Sequence, residues 1–183
     1  MPSPTPIPLV PIRTAPGEDD YQFIQTWQFA DQPFYEGQVK RLLQNDIPYR
    51  VLFSFGLVWT YRDPDGNIVG FGTLDACKEY EQFTGGKTHS YIPLLAVNPA
   101  FQKRGHGRTI VEHLVAEAVL IAQSPADFSG LLFLDVYAAN QGAITLYTKC
   151  GFVSLNSDSP LLDPQENNEP YIVMAIRTAV KPE

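Results

Sequence analysis

The sequence predicts an α/β or α+β domain, and three observations support this fold class. A strand, a glycine-bearing loop and a helix follow one another between Tyr91 and Gln123. The segment Asp63-Pro64-Asp65-Gly66-Asn67 has strong turn chemistry between two apolar runs and predicts a β-hairpin. A second strand and helix run from Leu132 to Cys150. Strands that alternate with helices in this way are typical of domains in which helices pack on a sheet.

Length, composition and charge narrow the class of protein. The 183 residues suit one domain with a proper core, and the 44% hydrophobic content excludes a disordered chain. No apolar run reaches the length of a membrane span, and the proline-rich N-terminus lacks the pattern of a signal peptide. We expect a loose arm at 1–8 and a single domain at 9–183. The net charge of −7 disfavours a nucleic-acid surface and favours a cationic substrate or partner, although it can equally serve solubility.

The cysteines and histidines show no reactive pattern. Cys77 and Cys150 are the only cysteines, and we expect no disulfide, which favours a reducing, cytoplasmic setting. Cys150 should pack as a small hydrophobe at a helix end. No adjacent base supports a covalent intermediate on either thiol. The histidines have no ligand spacing with the cysteines, so no metal is expected; they are His89, His106 and His113.

The first elements follow from periodicity and turn residues. Leu9–Arg13 is predicted to be an edge strand, because Pro11 cannot donate to a strand ladder. Glu18–Phe29 and Glu36–Gln44 are predicted helices. The hairpin strands are expected at Tyr49–Tyr61 and Ile68–Leu74.

Two polar stretches are predicted to be irregular, Ala76–His89 and Asn156–Glu169, and the second precedes a final strand at Tyr171–Arg177. Loops on a rigid scaffold usually carry specificity, so we expect these two to select the substrate. The second stretch should attract cations through four carboxylates, Asp158, Asp163, Glu166 and Glu169.

The loop Gln102-Lys103-Arg104-Gly105-His106-Gly107 predicts an anion site. An apolar strand, Tyr91 to Val97, and the turn Asn98-Pro99 precede it, and a helix from Arg108 to Gln123 follows. Glycines allow backbone N–H groups to close on a phosphate, and the helix N-terminus adds the positive end of its dipole. The pattern therefore indicates a pyrophosphate ligand.

Two common pyrophosphate motifs fit this loop poorly. A dinucleotide fingerprint needs a third glycine, and position 110 is Ile110. A P-loop needs Gly-Lys-Ser/Thr, whereas Gly107 is followed by Arg108 and Thr109. A nucleotide-binding domain is thus disfavoured but stays open.

The loop and a downstream segment together resemble a known family. Val97, Pro99, Gln102, Gly105 and Gly107 are similar to the acyl-CoA signature Gln/Arg-x-x-Gly-x-Gly/Ala of the GNAT superfamily of N-acetyltransferases. The second half of that superfamily's pattern is matched by Leu132–Val136, Asn140, Ala143, Tyr147 and Gly151-Phe152. The resemblance covers Ile68 to Phe152.

The resemblance implies a GNAT fold, a central mixed but mostly antiparallel twisted sheet of about six to seven strands with about four helices. It implies an enzyme that transfers the acetyl group of acetyl-CoA to a primary amine by direct attack. The alternative is a non-catalytic GNAT-fold module that binds acyl-CoA as a sensor or interaction domain. The amine, whether of a small molecule or a protein, is not specified by the sequence. We expect no nucleic-acid or membrane partner, and a homodimer stays open.

The resemblance also implies roles for individual residues. The main chain of Leu95, Ala96 and Val97 would pair with the pantetheine arm and polarise the acetyl carbonyl. The pyrophosphate would be held by Gln102, Lys103, Arg104, Gly105, His106, Gly107, Arg108 and Thr109, mainly through backbone amides. The His106 side chain falls in a variable slot and should be exposed.

Asn140 and Tyr147 belong to the second half of the pattern. Asn140 can cap the helix that follows it and would also lie against the cofactor arm. Tyr147 would donate a proton to the departing CoA thiolate; the alternative is an aromatic ring that only packs against the sheet.

The general base is not evident from the sequence. Some superfamily members carry an acidic or histidine side chain on the central strand, where this chain has Tyr91 and Pro93. Glu79, Glu81 and His89 in the preceding stretch are candidates, and a water relay is equally compatible with the pattern.

Overall fold

The computed structural model describes residues 7–13, 26–28, 56–78, 80–122, 128–164 and 168–178. The predicted helix Glu36–Gln44, most of the predicted helix Glu18–Phe29 and most of the arm at 1–8 lie outside these residues. Residues 26–28 are not helical, so the first predicted helix does not extend through them. The described strands are β1 (Val10–Arg13), β2 (Leu57–Arg62), β3 (Ile68–Cys77), β4 (Thr88–Ile92), β5 (Leu95–Val97), β6 (Phe128–Tyr137), β7 (Val153–Ser154), β8 (Leu161–Asp163) and β9 (Glu169–Arg177). The helices are α1 (Glu81–Thr84), α2 (His106–Ala122) and α3 (Gln141–Lys149), with a 3₁₀ turn at Pro99–Phe101.

The chain forms two compact units. The first contains 1–75 and 94–110, and the second contains 76–93 and 111–183. None of the helices in the described ranges is long and apolar enough to cross a membrane.

The first unit is built on antiparallel strands. β2 pairs with β1 on one side and with β3 on the other, and β5 also pairs with β3. The predicted hairpin turn is confirmed, because Oδ1 of Asp63 accepts the N–H groups of Asp65 (3.0 Å) and Asn67 (2.8 Å). Gly66 takes a φ of 85°, which a residue with a side chain rarely adopts.

The second unit has a mixed sheet. β4 and β6 run parallel with Tyr91 opposite Phe133, while β6 and β9 run antiparallel with Asp135 opposite Val173. β7 and β8 both pair with β9. Fully buried apolar side chains of this unit include Leu132, Phe133, Leu134, Val173, Val111 and Leu114.

The stretches predicted to be irregular contain regular structure. β3 continues through Cys77, α1 forms one helical turn, and β4 begins at Thr88, so Ala76–His89 is only partly a loop. Likewise β8 and the first residue of β9 fall inside Asn156–Glu169. β8 has only three residues, which is too short for the alternation from which strands are recognised, and its pairing with β9 forms it.

Candidate active site

The strand predicted at Tyr91–Val97 is interrupted, and the interruption defines β5. Pro93 has no N–H group to donate. Beyond it, Thr73 holds Leu94 at three points: its N–H donates to the Leu94 carbonyl (2.9 Å), its hydroxyl donates to the same oxygen (3.0 Å), and its Oγ1 accepts the Leu94 N–H (3.0 Å). β5 therefore leaves this point in a fixed register, with Ala96 opposite Phe71.

Gly70 allows β5 and the start of α2 to approach β3 closely. A Cβ atom at this position would lie 2.5 Å from Cδ1 of Ile110 and 2.8 Å from the carbonyl oxygen of Ala96. The second contact is with backbone and cannot be relieved by a side-chain rotation. The absence of a side chain at Gly70 thus places the main chain of Ala96.

Polar side chains attach the loop after β5 to the sheet. The Asn98 amide donates to the Ile68 carbonyl (3.2 Å), and its Oδ1 accepts the N–H of Ala100, which caps the 3₁₀ turn. Gln102 donates from Nε2 to the Val97 carbonyl (3.2 Å). The first polar position of the acyl-CoA motif therefore braces the loop against β5.

The loop places backbone amides at the start of α2. Lys103 and Gly105 both have positive φ, 61° and 88°, and the helix begins at His106. The Gly105 carbonyl accepts the Arg108 amide (3.0 Å), whereas no acceptor in the described part of the chain binds the N–H groups of Gly105, His106 and Gly107. Such a run of amides at a helix N-terminus is a site for an anion.

The cationic side chains of the loop differ in their contacts. Arg104 lies over the Phe101 ring, 5.5 Å from its centroid, and donates from Nη2 to the Ala100 carbonyl (3.1 Å). Lys103, Arg104 and Arg108 are all exposed. We therefore expect all three to be able to supply charge to a bound phosphate.

The expectation of an exposed His106 side chain is wrong. His106 is 1% exposed and packs edge-on against Phe101, with 6.4 Å between ring centroids. Neither ring nitrogen has a hydrogen-bond partner among the described residues, and burial, followed by the charge of Arg104, lowers the His106 pKa. As the first residue of α2, His106 turns inward, which motif spacing could not reveal.

In the second unit, Asn140 is the N-cap of α3 and Tyr147 lies within that helix. Oδ1 of Asn140 accepts the Ala143 N–H (3.1 Å), which confirms the predicted cap. Tyr147 is 9% exposed, and its ring lies 5.9 Å from that of Phe152. Burial, with a smaller contribution from the Cys150 thiol, raises the Tyr147 pKa to about 12. The phenol is therefore protonated at neutral pH and able to donate.

Asp135 is the residue that the sequence analysis missed. In β6 its carboxylate accepts hydrogen bonds from two phenols, Tyr80 at Oδ1 (2.5 Å) and Tyr91 at Oδ2 (2.8 Å). Both rings are at least nine-tenths buried, whereas Asp135 is only partly buried. The available signal was an aspartate inside the apolar strand Leu132–Val136, because a carboxylate among apolar residues usually has hydrogen-bond partners.

The general-base candidates predicted from the sequence differ in position and burial. Glu79 lies outside the described residues. Glu81 is exposed as the first residue of α1. His89 is fully buried, and its Nε2 lies 3.1 Å from Sγ of Cys77. This contact also corrects the expectation that neither cysteine has an adjacent base, because pairing across the sheet brings the two side chains together.

Comparison with known proteins assigns the family. The model of the Acetyltransferase (GNAT) family matches residues 19–152, and the chain belongs to this family. The [Ribosomal protein bS18]-alanine N-acetyltransferase of Salmonella typhimurium is 34% identical over 84 residues, which are 45% of this chain and 51% of that protein. The chain thus spans about half the length of this curated relative.

Solved structures confirm the predicted fold class. A GNAT-family protein from Desulfovibrio desulfuricans aligns with a TM-score of 0.67 at 14% identity, covering 94% of this chain and all of the other. AtaTR bound with AcCoA aligns with a TM-score of 0.62 at 19% identity, covering 93% of each chain. At these identities the likeness concerns the fold.

Proposed function

We propose that the protein is an N-acetyltransferase that moves the acetyl group of acetyl-CoA to a primary amine. The observation that carries this proposal is the series of available amides at Gly105, His106 and Gly107, at the N-terminus of α2. A pyrophosphate needs such donors, and the family membership makes CoA the pyrophosphate compound to expect. The AcCoA-bound structural neighbour supports this choice.

The chemistry follows from direct attack. The amine nitrogen bonds to the thioester carbonyl carbon, and the carbon–sulfur bond then breaks to release CoA. Main-chain donors of β5 would stabilise the charge that develops on the carbonyl oxygen. We assign Asp135 as the group that accepts the amine proton, because it is a carboxylate held in place by two phenols. Tyr147 would donate to the departing sulfur.

The acceptor is a primary amine of a protein or a small molecule. The Salmonella relative is named for the alanine of a ribosomal protein. The net charge of −7 supports an acceptor that carries positive charge. Both cysteines lack a disulfide, which supports a reducing, cytoplasmic setting.

The proposal is tested by two assays on the intact chain. Acetyl-CoA should raise the melting temperature, whereas NAD and ATP should not, since only a ligand of the folded state stabilises it. A screen of amine acceptors that measures released CoA thiol should then identify a substrate. Stabilisation without thiol release from any amine would favour the non-catalytic alternative, and stabilisation by NAD or ATP alone would refute the cofactor assignment.

Gly107→Val is expected to weaken acetyl-CoA binding at least about tenfold, the equivalent of about 1.4 kcal/mol. The valine side chain would occupy the place of the phosphate. Gly107 is the second residue of α2 and has no positive φ, so the variant should fold, whereas Gly105→Val would also strain a φ of 88°. Titration calorimetry gives the affinity.

Gly142→Val is the matched control for this experiment. Gly142 is likewise the second residue of its helix, α3, and a Cβ there meets nothing closer than 3.8 Å. It should retain the wild-type affinity. Unchanged affinity in a folded Gly107→Val protein would rule out the loop as the pyrophosphate site.

Removing negative charge from the stretch Asn156–Glu169 is expected to raise the KM for a cationic acceptor. The salt dependence of that KM should become weaker, and the KM for acetyl-CoA should not change. Asp163 should be left intact, because its Oδ2 accepts a hydrogen bond from Tyr137 (2.8 Å). Glu166 lies outside the described residues. The informative variant is therefore Asp158→Asn with Glu169→Gln, measured by steady-state kinetics at several ionic strengths.

The pair Asp65→Asn with Glu112→Gln removes the same charge from the hairpin turn and from α2. This control separates a local effect from one of net charge. An equal change in acceptor KM in both double variants would mean that the stretch has no specific role in acceptor binding.

A further inference from the structure

Cys77 at the end of β3 and His89 in β4 form a thiol–imidazole pair. Sγ of Cys77 lies 3.1 Å from Nε2 of His89. The imidazole is completely buried, whereas Cys77 is only half-buried. Cys77 as a residue thus keeps some exposure to solvent, whereas His89 has none.

The surroundings of His89 favour a neutral ring that can accept a proton at Nε2. The ring packs against Phe133, with 4.6 Å between centroids, and against Tyr80, with 5.7 Å. Burial lowers the His89 pKa, and the main chain of Lys87 partly opposes this effect, although no described residue forms a hydrogen bond of normal geometry with Nδ1. Attraction to the aromatic rings would offset part of the cost of burying the imidazolium when it forms.

The titratable groups near the pair in the described ranges include the buried Asp75, which lies two residues before Cys77 in β3. The phenols of Tyr80 and Tyr91 hold the Asp135 carboxylate. Lys78 follows Cys77 in the chain and is exposed. The imidazole contacts the sulfur directly, with 3.1 Å between Nε2 and Sγ.

Cys150 provides an internal comparison, because its environment has the opposite effect on a thiolate. It is also half-buried, but it is the C-cap of α3, and its N–H donates to the Leu146 carbonyl. The C-terminal end of a helix carries partial negative charge, which disfavours an anion. The two thiols should therefore differ in reactivity at neutral pH.

We propose that Cys77 is a modification site for small carbon electrophiles, with His89 as the group that accepts the thiol proton. This inference goes beyond acetyl transfer and does not depend on it. The S–H proton moves from Sγ to Nε2, the sulfur forms a bond to the electrophilic carbon, and the bond from that carbon to its leaving group breaks. With iodoacetamide the leaving group is iodide, and the imidazolium returns its proton to water.

The test is the alkylation of the full chain by iodoacetamide, with the rate at each cysteine followed by peptide mass spectrometry at pH 7 and pH 9. Because each cysteine is compared with itself, its accessibility cancels. The thiolate fraction of an ordinary thiol with a pKa of about 8.5 rises roughly 25-fold between these pH values. We expect Cys150 to show a rise of about this size or larger, and Cys77 a rise of less than about fivefold.

His89→Gln keeps a polar side chain but removes the proton acceptor, and it should give Cys77 the steep pH dependence of an ordinary thiol. If this variant does not fold, the comparison of Cys77 with Cys150 in the folded wild-type protein still tests the proposal. In urea, the alkylation rates of the two cysteines in the wild-type chain should rise by the same factor between pH 7 and pH 9. A rise at Cys77 as steep as that at Cys150 in the folded wild type would overturn the proposal, as would a shallow rise that persists in folded His89→Gln.

Discussion

Asp135→Asn is expected to lower turnover by a factor of about 10²–10⁴, the usual contribution of a general base. The amide has nearly the shape of the carboxylate but cannot take the proton of the attacking amine. The acetyl-CoA KM should change little, because Asp135 acts on the acceptor. Steady-state kinetics with an identified amine, together with circular dichroism to verify folding, measure both effects.

Two variants separate proton transfer from support of the fold. Asp135→Glu keeps a carboxylate and should recover part of the lost rate. Tyr91→Phe removes one hydrogen bond to the carboxylate and leaves the base present, so it should have a smaller effect than Asp135→Asn. If folded Asp135→Asn retains turnover within about threefold of wild type, Asp135 is a structural partner of Tyr80 and Tyr91, and a water relay becomes the better account.

Tyr147→Phe is expected to lower turnover by a factor of about 10²–10⁴ with acetyl-CoA binding nearly unchanged. The phenol acts mainly as the sulfur departs, and its pKa of about 12 keeps it in the donor form throughout the assay range. Phenylalanine preserves the ring and its packing against Phe152, so the loss should appear in kcat alone.

Tyr137→Phe is the control for loss of a tyrosine hydroxyl. Tyr137 is also in the second unit, and its hydroxyl donates to Asp163. It should leave kcat close to wild type. If Tyr147→Phe reduces turnover less than about threefold, Tyr147 only packs, and the CoA thiolate leaves without its help.

The sequence determined those features of the protein that depend on neighbouring residues. The hairpin turn at 63–67, the Asn140 cap and the core of α2 follow from turn chemistry, capping and helical periodicity, each within a few positions. The resemblance to the GNAT family could be recognised because the family's motif lies in short segments of the chain. The family match and the fold comparison confirm this resemblance. The cofactor roles of individual residues and the single domain at 9–183 stay predictions.

Tertiary structure alone decided which distant side chains meet. Tyr80 and Tyr91 lie 55 and 44 positions from Asp135. The pairing of β4 with β6 brings Tyr91 to the carboxylate, and the N-cap position of α1 brings Tyr80 to it. The neighbouring positions of β3 and β4 set His89 beside Cys77, and this contact corrects the expectation for that thiol. Periodicity assigns a residue to a face of its own element, but it carries no information about which element will cover that face. The roles proposed for Asp135 and Cys77 could therefore not be predicted from the sequence. The anion site at Gln102–Gly107 could be predicted, because its residues are adjacent along the chain.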